Sequence, residues 1–227
     1  MTTIATNLQA VHDRIERALR LVGRDATEVT LLAVSKTVSA ARVLEAFRCG
    51  QRAYGENYVQ EALAKMDELR DVPLEWHYIG PIQSNKTRAI AERFDWVHSI
   101  DRAKIAERLA AARPADRPPL DVCIQVNVSG EATKGGVSPG EELPLAQAIA
   151  VLPQLRLRGL MAIPEPTDDI ALQRRRYASV RAARDRLVAA GYALDTLSMG
   201  MSDDLEAAIA EGATIVRVGT AIFGARK

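Results

Sequence analysis

VTLLAVSKTVSAARVLEAFRCG, residues 29–50, holds one complete strand-then-helix unit. Its first six residues are rich in Val and Leu and read as a buried strand, which delivers Lys36 at its end. SAARVLEAFRCG (39–50) returns to helical spacing, with Ser39 placed to cap the helix and Gly50 to stop it. The question this unit raises is whether its rhythm continues.

It does. RAYGEN (52–57) precedes the helical VQEALAKMDELR (59–70), and LEWHYIG (74–80) precedes SNKTRAIAERF (84–94). WVHSI (96–100) leads to DRAKIAERLAAAR (101–113), and LDVCIQVNV (120–128) to EELPLAQAIAVL (141–152), where Pro144 is tolerable only in the first turn. LRLRGLMAI (155–163) leads to the long helix 168–191, ALDTLSM (193–199) to DDLEAAIAEG (203–212), and TIVRVG (214–219) to AIFGARK. Ahead of all this, Leu8, Val11, Ile15, Leu19 and Leu21 mark an amphipathic opening helix.

Such alternation implies a parallel sheet covered by helices. Eight units in 227 residues fit an α/β chain with a single (β/α)8 TIM barrel, an extra N-terminal helix and one domain spanning 1–227. An open doubly wound sheet would want a glycine fingerprint after its first strand, and SKTVSA offers none. ARPADRPPL (112–120) reads as a proline-stiffened loop, because the rhythm runs on unbroken at either side.

Composition sets bounds on function. The chain is 48% hydrophobic with a formal net charge of +1, so no global field draws nucleic acid or a membrane surface. No apolar run approaches a membrane span, and the N-terminus lacks the order of a signal peptide. Cys49 and Cys123 read as reduced, buried thiols of a cytoplasmic protein, and His12, His77 and His98 show no metal-ligand spacing with them. The arginines of helix 168–191 could track phosphates, but read more simply as a solvated face paired with Asp168, Asp169 and Asp185.

In a barrel, function sits at the C-terminal ends of the strands, and the last two strands build the usual phosphate site. Strand seven ends in SMGMSDD (198–204) and strand eight in RVGTAIFG (217–224). Gly219 lets a backbone approach closely, Thr220 offers an N–H and a hydroxyl, and Ser202 stands where it would either cap a helix or reach the same anion. Closure places strand one beside strand eight, so Lys36 stands close to this cradle. A buried lysine, with Arg217 one strand over, spends more time as the neutral amine that Schiff-base chemistry needs. An aldehyde at one end and a phosphate at the other is the shape of pyridoxal 5'-phosphate (PLP).

AVSK, YGENYVQEA, WHYIGPIQSNK, GLMAI, LSMGMSDD and RVGTAIFG occur in that order over nearly the whole chain. By this ordered set the sequence resembles the single-domain PLP-binding proteins of pyridoxal phosphate homeostasis, which share the barrel of the alanine racemase N-terminal domain. Pro81 and Ile82 depart from the pattern, where a looser residue and a leucine are expected. The resemblance implies that Lys36 carries PLP as an internal aldimine and that Ser202, Gly219 and Thr220 hold its phosphate. It implies that Arg217 faces the pyridine nitrogen and that Asn57 lies near the ring, with Met199, Gly200 and His77 as further candidates.

Binding PLP does not settle whether the protein is an enzyme. A racemase needs a second base, which in the two-domain racemases comes from a separate β domain. This chain stops at Lys227 directly after its eighth unit, and Tyr54, Tyr58 and Tyr78 are its barrel tyrosines. An arginine facing the ring nitrogen, in place of an acid, discourages the electron sink that transamination and decarboxylation want. The reading is therefore a monomeric carrier that buffers PLP or delivers it to PLP-dependent apo-enzymes, with no catalytic residue and no metal. The alternatives are an amino-acid racemase and, without PLP, an aldolase-type Schiff-base enzyme. Lys134, in the Gly-rich loop after strand five, is a transient acceptor or a plain solvated lysine.

Overall fold

A computed structural model describes residues 3–131 and 135–224. Helix α1 (Ile4–Leu21) is capped by Thr3, whose hydroxyl accepts from the Thr6 N–H at 3.2 Å. Its Ile4, Leu8, Val11, Ile15 and Leu19 are buried at the expected spacing, whereas Leu21 lies exposed beyond the stripe.

The strand–helix units then follow. They are β1 (Thr30–Val34) and α2 (Ala40–Arg48), β2 (Ala53–Glu56) and α3 (Val59–Glu68), β3 (Glu75–Tyr78) and α4 (Thr87–Arg93), and β4 (Trp96–Ile100) and α5 (Ala103–Ala112). The second half contains β5 (Leu120–Gln125) and α6 (Glu142–Ala150), β6 (Leu155–Met161) and α7 (Ile170–Ala189), β7 (Thr196–Ser198) and α8 (Leu205–Ala210), and β8 (Ile215–Val218) and α9 (Thr220–Phe223). Every neighbouring pair is parallel, and the sheet closes β1 onto β8 with Leu32 opposite Arg217 and Ala33 opposite Val218.

Period-two alternation divides the barrel into two environments. Leu31, Ala33, Tyr54, Val97, Val122, Leu160, Leu197 and Val216 face outward and join the helices in one large hydrophobic cluster. The inward faces form two small apolar groups, one of Leu32, Ala53, Ile79 and Ile215, the other of Trp96, Cys123 and Met161. Buried polar side chains, His77, His98, Ser198 and Arg217, complete the interior.

Several details differ from the sequence reading. Strand β7 is shorter than the expected 193–199 at both ends, and beyond Met199 the chain turns left-handed at Gly200 (φ +95°), whose carbonyl accepts from Arg217 N–H at 2.9 Å. A Cβ on Gly200 would stand 2.5 Å from that of Ala208, so space as well as φ requires glycine there. Cys49, expected to be buried, is exposed, whereas Cys123 is enclosed and its thiol is pushed up by burial. The arginines of α7 are ion-paired: Arg174 and Arg181 with Glu211, Arg175 with Asp169, Arg176 with Glu165, Arg184 with Asp185 and Arg186 with Glu142. Lys134 lies outside the described residues. Among the described residues no helix is long and apolar enough to cross a membrane, and no cluster of His, Cys, Asp and Glu could hold a metal ion.

Candidate functional site

The site begins where β1 ends. Ser35 continues the outward parity and is fully buried; its N–H donates to Gly55 O at 3.0 Å and its hydroxyl to Glu56 Oε1 at 2.6 Å. Its carbonyl accepts from Lys65 Nζ at 2.6 Å. Thr37, on the other side of Lys36, adopts φ +64°, and its N–H donates to Glu61 Oε1 at 2.6 Å. Lys65 also reaches Glu56 at 2.5 Å and Glu61 at 2.8 Å. Both chain neighbours of Lys36 are thus held by one buried group of charges under α3, and the half-buried Lys36 falls on the inward parity. Burial pushes the Glu56 carboxyl up, opposed by Lys65 and by the Ser35 hydroxyl.

The turn after β8 meets this point directly. Gly219 caps α9, and a Cβ on it would stand 3.1 Å from Val34 O and 3.3 Å from Val34 Cβ, two residues before Lys36. Thr220 opens α9 and is exposed; first-turn N–H groups such as its own have no acceptor within a helix. Closure therefore packs the Gly219 turn on Val34, two residues before Lys36.

Ser202 is half-buried in the turn after β7, and its carbonyl accepts from Arg14 Nη1 at 2.6 Å. It is not a helix cap, since Asp204 occupies that position before α8. The turn is held from two further sides: Met201 N–H donates to Asp204 Oδ1 at 2.6 Å, and Tyr177 donates its hydroxyl to Asp204 Oδ2 at 2.6 Å. Met199 faces outward and is fully buried in the main cluster, its N–H donating to Ile215 O at 3.1 Å. Its side chain supports the turn from behind.

Asn57 follows β2 and packs backbone to backbone on Gly80, where a Cβ would lie 2.5 Å from Asn57 O. Its buried Oδ1 has no hydrogen-bond partner among the described residues. Arg217 is buried one level below Gly219; it donates to Ser198 O at 2.6 Å, to Ser198 Oγ at 2.7 Å and to Ala162 O at 2.7 Å. Burial lowers its pKa, with Tyr177 and Asp204 opposing. His77 lies inside the barrel, stacked on Trp96 with ring centroids 5.4 Å apart.

The barrel tyrosines separate by surroundings. Tyr54 donates to Val43 O and Gln51 O, and Tyr78 to Asn57 O and Pro81 O. Burial pushes both hydroxyls up, Tyr78 to about 12. Tyr58 is 56% exposed.

The family described as alanine racemase, N-terminal domain, matches residues 6–227. A pyridoxal phosphate homeostasis protein of Pseudomonas aeruginosa is 63% identical over 227 residues, covering 100% of this chain and 97% of that protein. The chain belongs to the pyridoxal phosphate homeostasis protein family. An Escherichia coli homeostasis protein is 53% identical over 229 residues, covering 100% of this chain and 98% of the relative. Among solved structures, PipY of Synechococcus elongatus with PLP bound superposes with a TM-score of 0.81 at 39% identity, covering 92% of this chain and 99% of PipY.

Sequence reasoning missed the group Glu56–Glu61–Lys65 and the pair His98–Ser198. The i,i+4 spacing of Glu61 and Lys65 was a visible signal. His77 and His98 share the inward parity of neighbouring strands, but their contact depends on the β3–β4 register, which pairs His77 with Trp96.

Proposed function

We propose that the chain is a single PLP-binding barrel over residues 1–227 that takes part in PLP homeostasis, buffering the cofactor or delivering it to PLP-dependent apo-enzymes. The observation that carries the reading is the contact of Gly219 with Val34, two residues from Lys36. The homeostasis proteins of similar sequence and the PLP-bound PipY support it. In this reading the protein is cytoplasmic and monomeric and uses no metal.

The residues present fit the group. When bound, PLP supplies an aldehyde that amines capture reversibly and a ring that withdraws electrons. Lys36 is the covalent anchor; Ser202, Gly219 and Thr220 hold the phosphate. Asn57, with its orphaned Oδ1, meets the ring edge, and Met199 backs the phosphate turn. Arg217 donates toward the ring nitrogen and, as a cation, opposes its protonation. That arrangement binds the cofactor while giving weak support to transamination and decarboxylation, and it does not argue against racemisation. Tyr54 and Tyr78 donate to backbone carbonyls, so neither is set as a second base. Lys36 is half-buried at the mouth, where an incoming amine can compete for the cofactor.

The test is an absorption titration of the purified protein with PLP, followed by borohydride reduction and peptide mapping. Wild type forms a reducible adduct at Lys36, and Lys36→Ala forms none. An adduct at the same site in Lys36→Ala overturns the anchor. Steady α-carbon deuterium exchange with alanine or serine, over many turnovers, overturns the carrier reading in favour of a racemase.

A further inference from the structure

Arg217 is buried inside the barrel, and the three bonds it donates end on uncharged oxygens. One of them, Ser198 Oγ, begins a file of polar groups that runs through the barrel. Ser198 Oγ lies 2.8 Å from His98 Nδ1, His98 Nε2 lies 2.9 Å from His77 Nδ1, and His77 Nε2 faces Glu75 Oε1 at 3.6 Å. Glu75 Oε1 in turn accepts from Trp96 Nε1 at 2.7 Å, near the opposite end of the strands.

The donors in this file follow from one end. A guanidinium only donates, so Ser198 Oγ accepts from Arg217. Ser198 Oγ keeps a second lone pair, so direction at its 2.8 Å contact with His98 Nδ1 depends on the tautomer. In the file the Ser198 hydroxyl donates and His98 Nδ1 accepts. A neutral imidazole with an accepting Nδ1 carries its proton on Nε2, and that proton meets His77 Nδ1. His77 is therefore protonated on Nε2, which points toward the Glu75 carboxylate. Each hydrogen bond runs the same way, from Arg217 to His77, whose Nε2 then faces the Glu75 carboxylate across 3.6 Å with no hydrogen bond among the described residues. Charging His98 would place two cations on one serine hydroxyl. Burial, with His77 and Arg217 adding to it, holds the His98 pKa well below the usual histidine range.

We infer that Ser198, His98 and His77 are positioning residues, a one-way hydrogen-bond file that fixes Arg217 under the cofactor and so sets the surroundings of the PLP ring nitrogen. This rests on the site reading given above. The file has a consequence for the cofactor-free protein too: two of the three histidines are locked in the same neutral tautomer by an arginine two strands or more away.

The experiment is nitrogen-15 NMR of histidine-labelled protein, with exposed His12 as the reference, beside the absorption spectrum of bound PLP. Cofactor-free wild type is expected to show Nε2–H for both His77 and His98. Ser198→Ala loses the fixed Nε2–H signature at His98 and shifts the absorption band of bound PLP; Ser198→Thr, which keeps the hydroxyl, restores both. A wild-type His98 protonated on Nδ1, or on both nitrogens, overturns the file without needing any variant to fold. A Ser198→Ala spectrum superposing on wild type overturns the positioning role. The histidine pattern without PLP binding would sink the site reading and this inference with it, whereas PLP binding without the pattern would sink the file alone.

Discussion

Lys65 and Glu61, one turn apart on α3, meet at 2.8 Å and grip the chain on either side of Lys36, Lys65 through the Ser35 carbonyl and Glu61 through the Thr37 N–H. Lys65 also neutralises Glu56, which is fully buried. Removing the amine leaves a buried carboxylate without its partner. Lys65→Met is therefore expected to lower stability by about 3 kcal/mol or more, read by denaturant unfolding. Adding Glu56→Gln to that variant should recover part of the loss. A single variant within about 0.5 kcal/mol of wild type would contradict the role given to this pair.

Gly219→Ala tests the seam between the first and last strands. The glycine has φ −118°, so alanine meets no backbone strain, only the crowding at Val34. The fold should survive with a loss of roughly 1–2 kcal/mol. PLP affinity should fall by about tenfold, the size expected when a phosphate-holding turn shifts by a fraction of an ångström. An unchanged titration curve would remove Gly219 from the site.

Two glycines with nearly equal φ separate strain from space. Gly200 has φ +95° and a crowded Cβ position, and Gly191 has φ +97° with nothing within 4 Å. Gly191→Ala should cost about 1 kcal/mol from backbone strain alone. Gly200→Ala should cost at least about 2 kcal/mol more, because Ala208 cannot yield without moving α8. Thermal unfolding of both variants, side by side, gives the answer; equal losses would mean that packing at Gly200 is soft.

Asp195 is one contributor to acid sensitivity. Burial tends to raise the Asp195 carboxyl, but its bonds from Arg158, with Thr196 adding to them, outweigh this and hold it below the usual value. A depressed carboxylate stabilises the fold above its unfolded pKa, and that contribution is lost as pH falls through the folded value. Asp195→Asn should thus flatten the stability curve below about pH 4 and cost less than about 1 kcal/mol at neutral pH, since Asp195 is largely exposed. Unfolding curves at several pH values decide it, and an unchanged acid slope would assign the effect elsewhere.

Much of the fold was readable from local pattern. WVHSI became β4 residue for residue, because all five positions are buried and its flanks are polar. The 193–199 strand was overestimated mainly at its start, where Ala193, Leu194 and Asp195 precede β7, and by one residue at its end, before the left-handed turn at Gly200. Within the site, Lys36 and Gly219 could be brought together by closure alone, a property of topology. The Glu56–Lys65 pair could not, because it needs the angle at which α3 crosses β2. His98 and Ser198 are 100 positions apart, and nothing short of the barrel's register and tilt predicts their contact.

The seam has a consequence for how the protein is made. Lys36 is translated well before the Gly219–Thr220 turn and the Ile222 carbonyl that accepts from Asn7 Nδ2 at 2.9 Å. A growing chain can wind seven strands and still lack half of the proposed site. A chain cut before β8 would keep the Lys36 side of the proposed site and lack the turn that faces it.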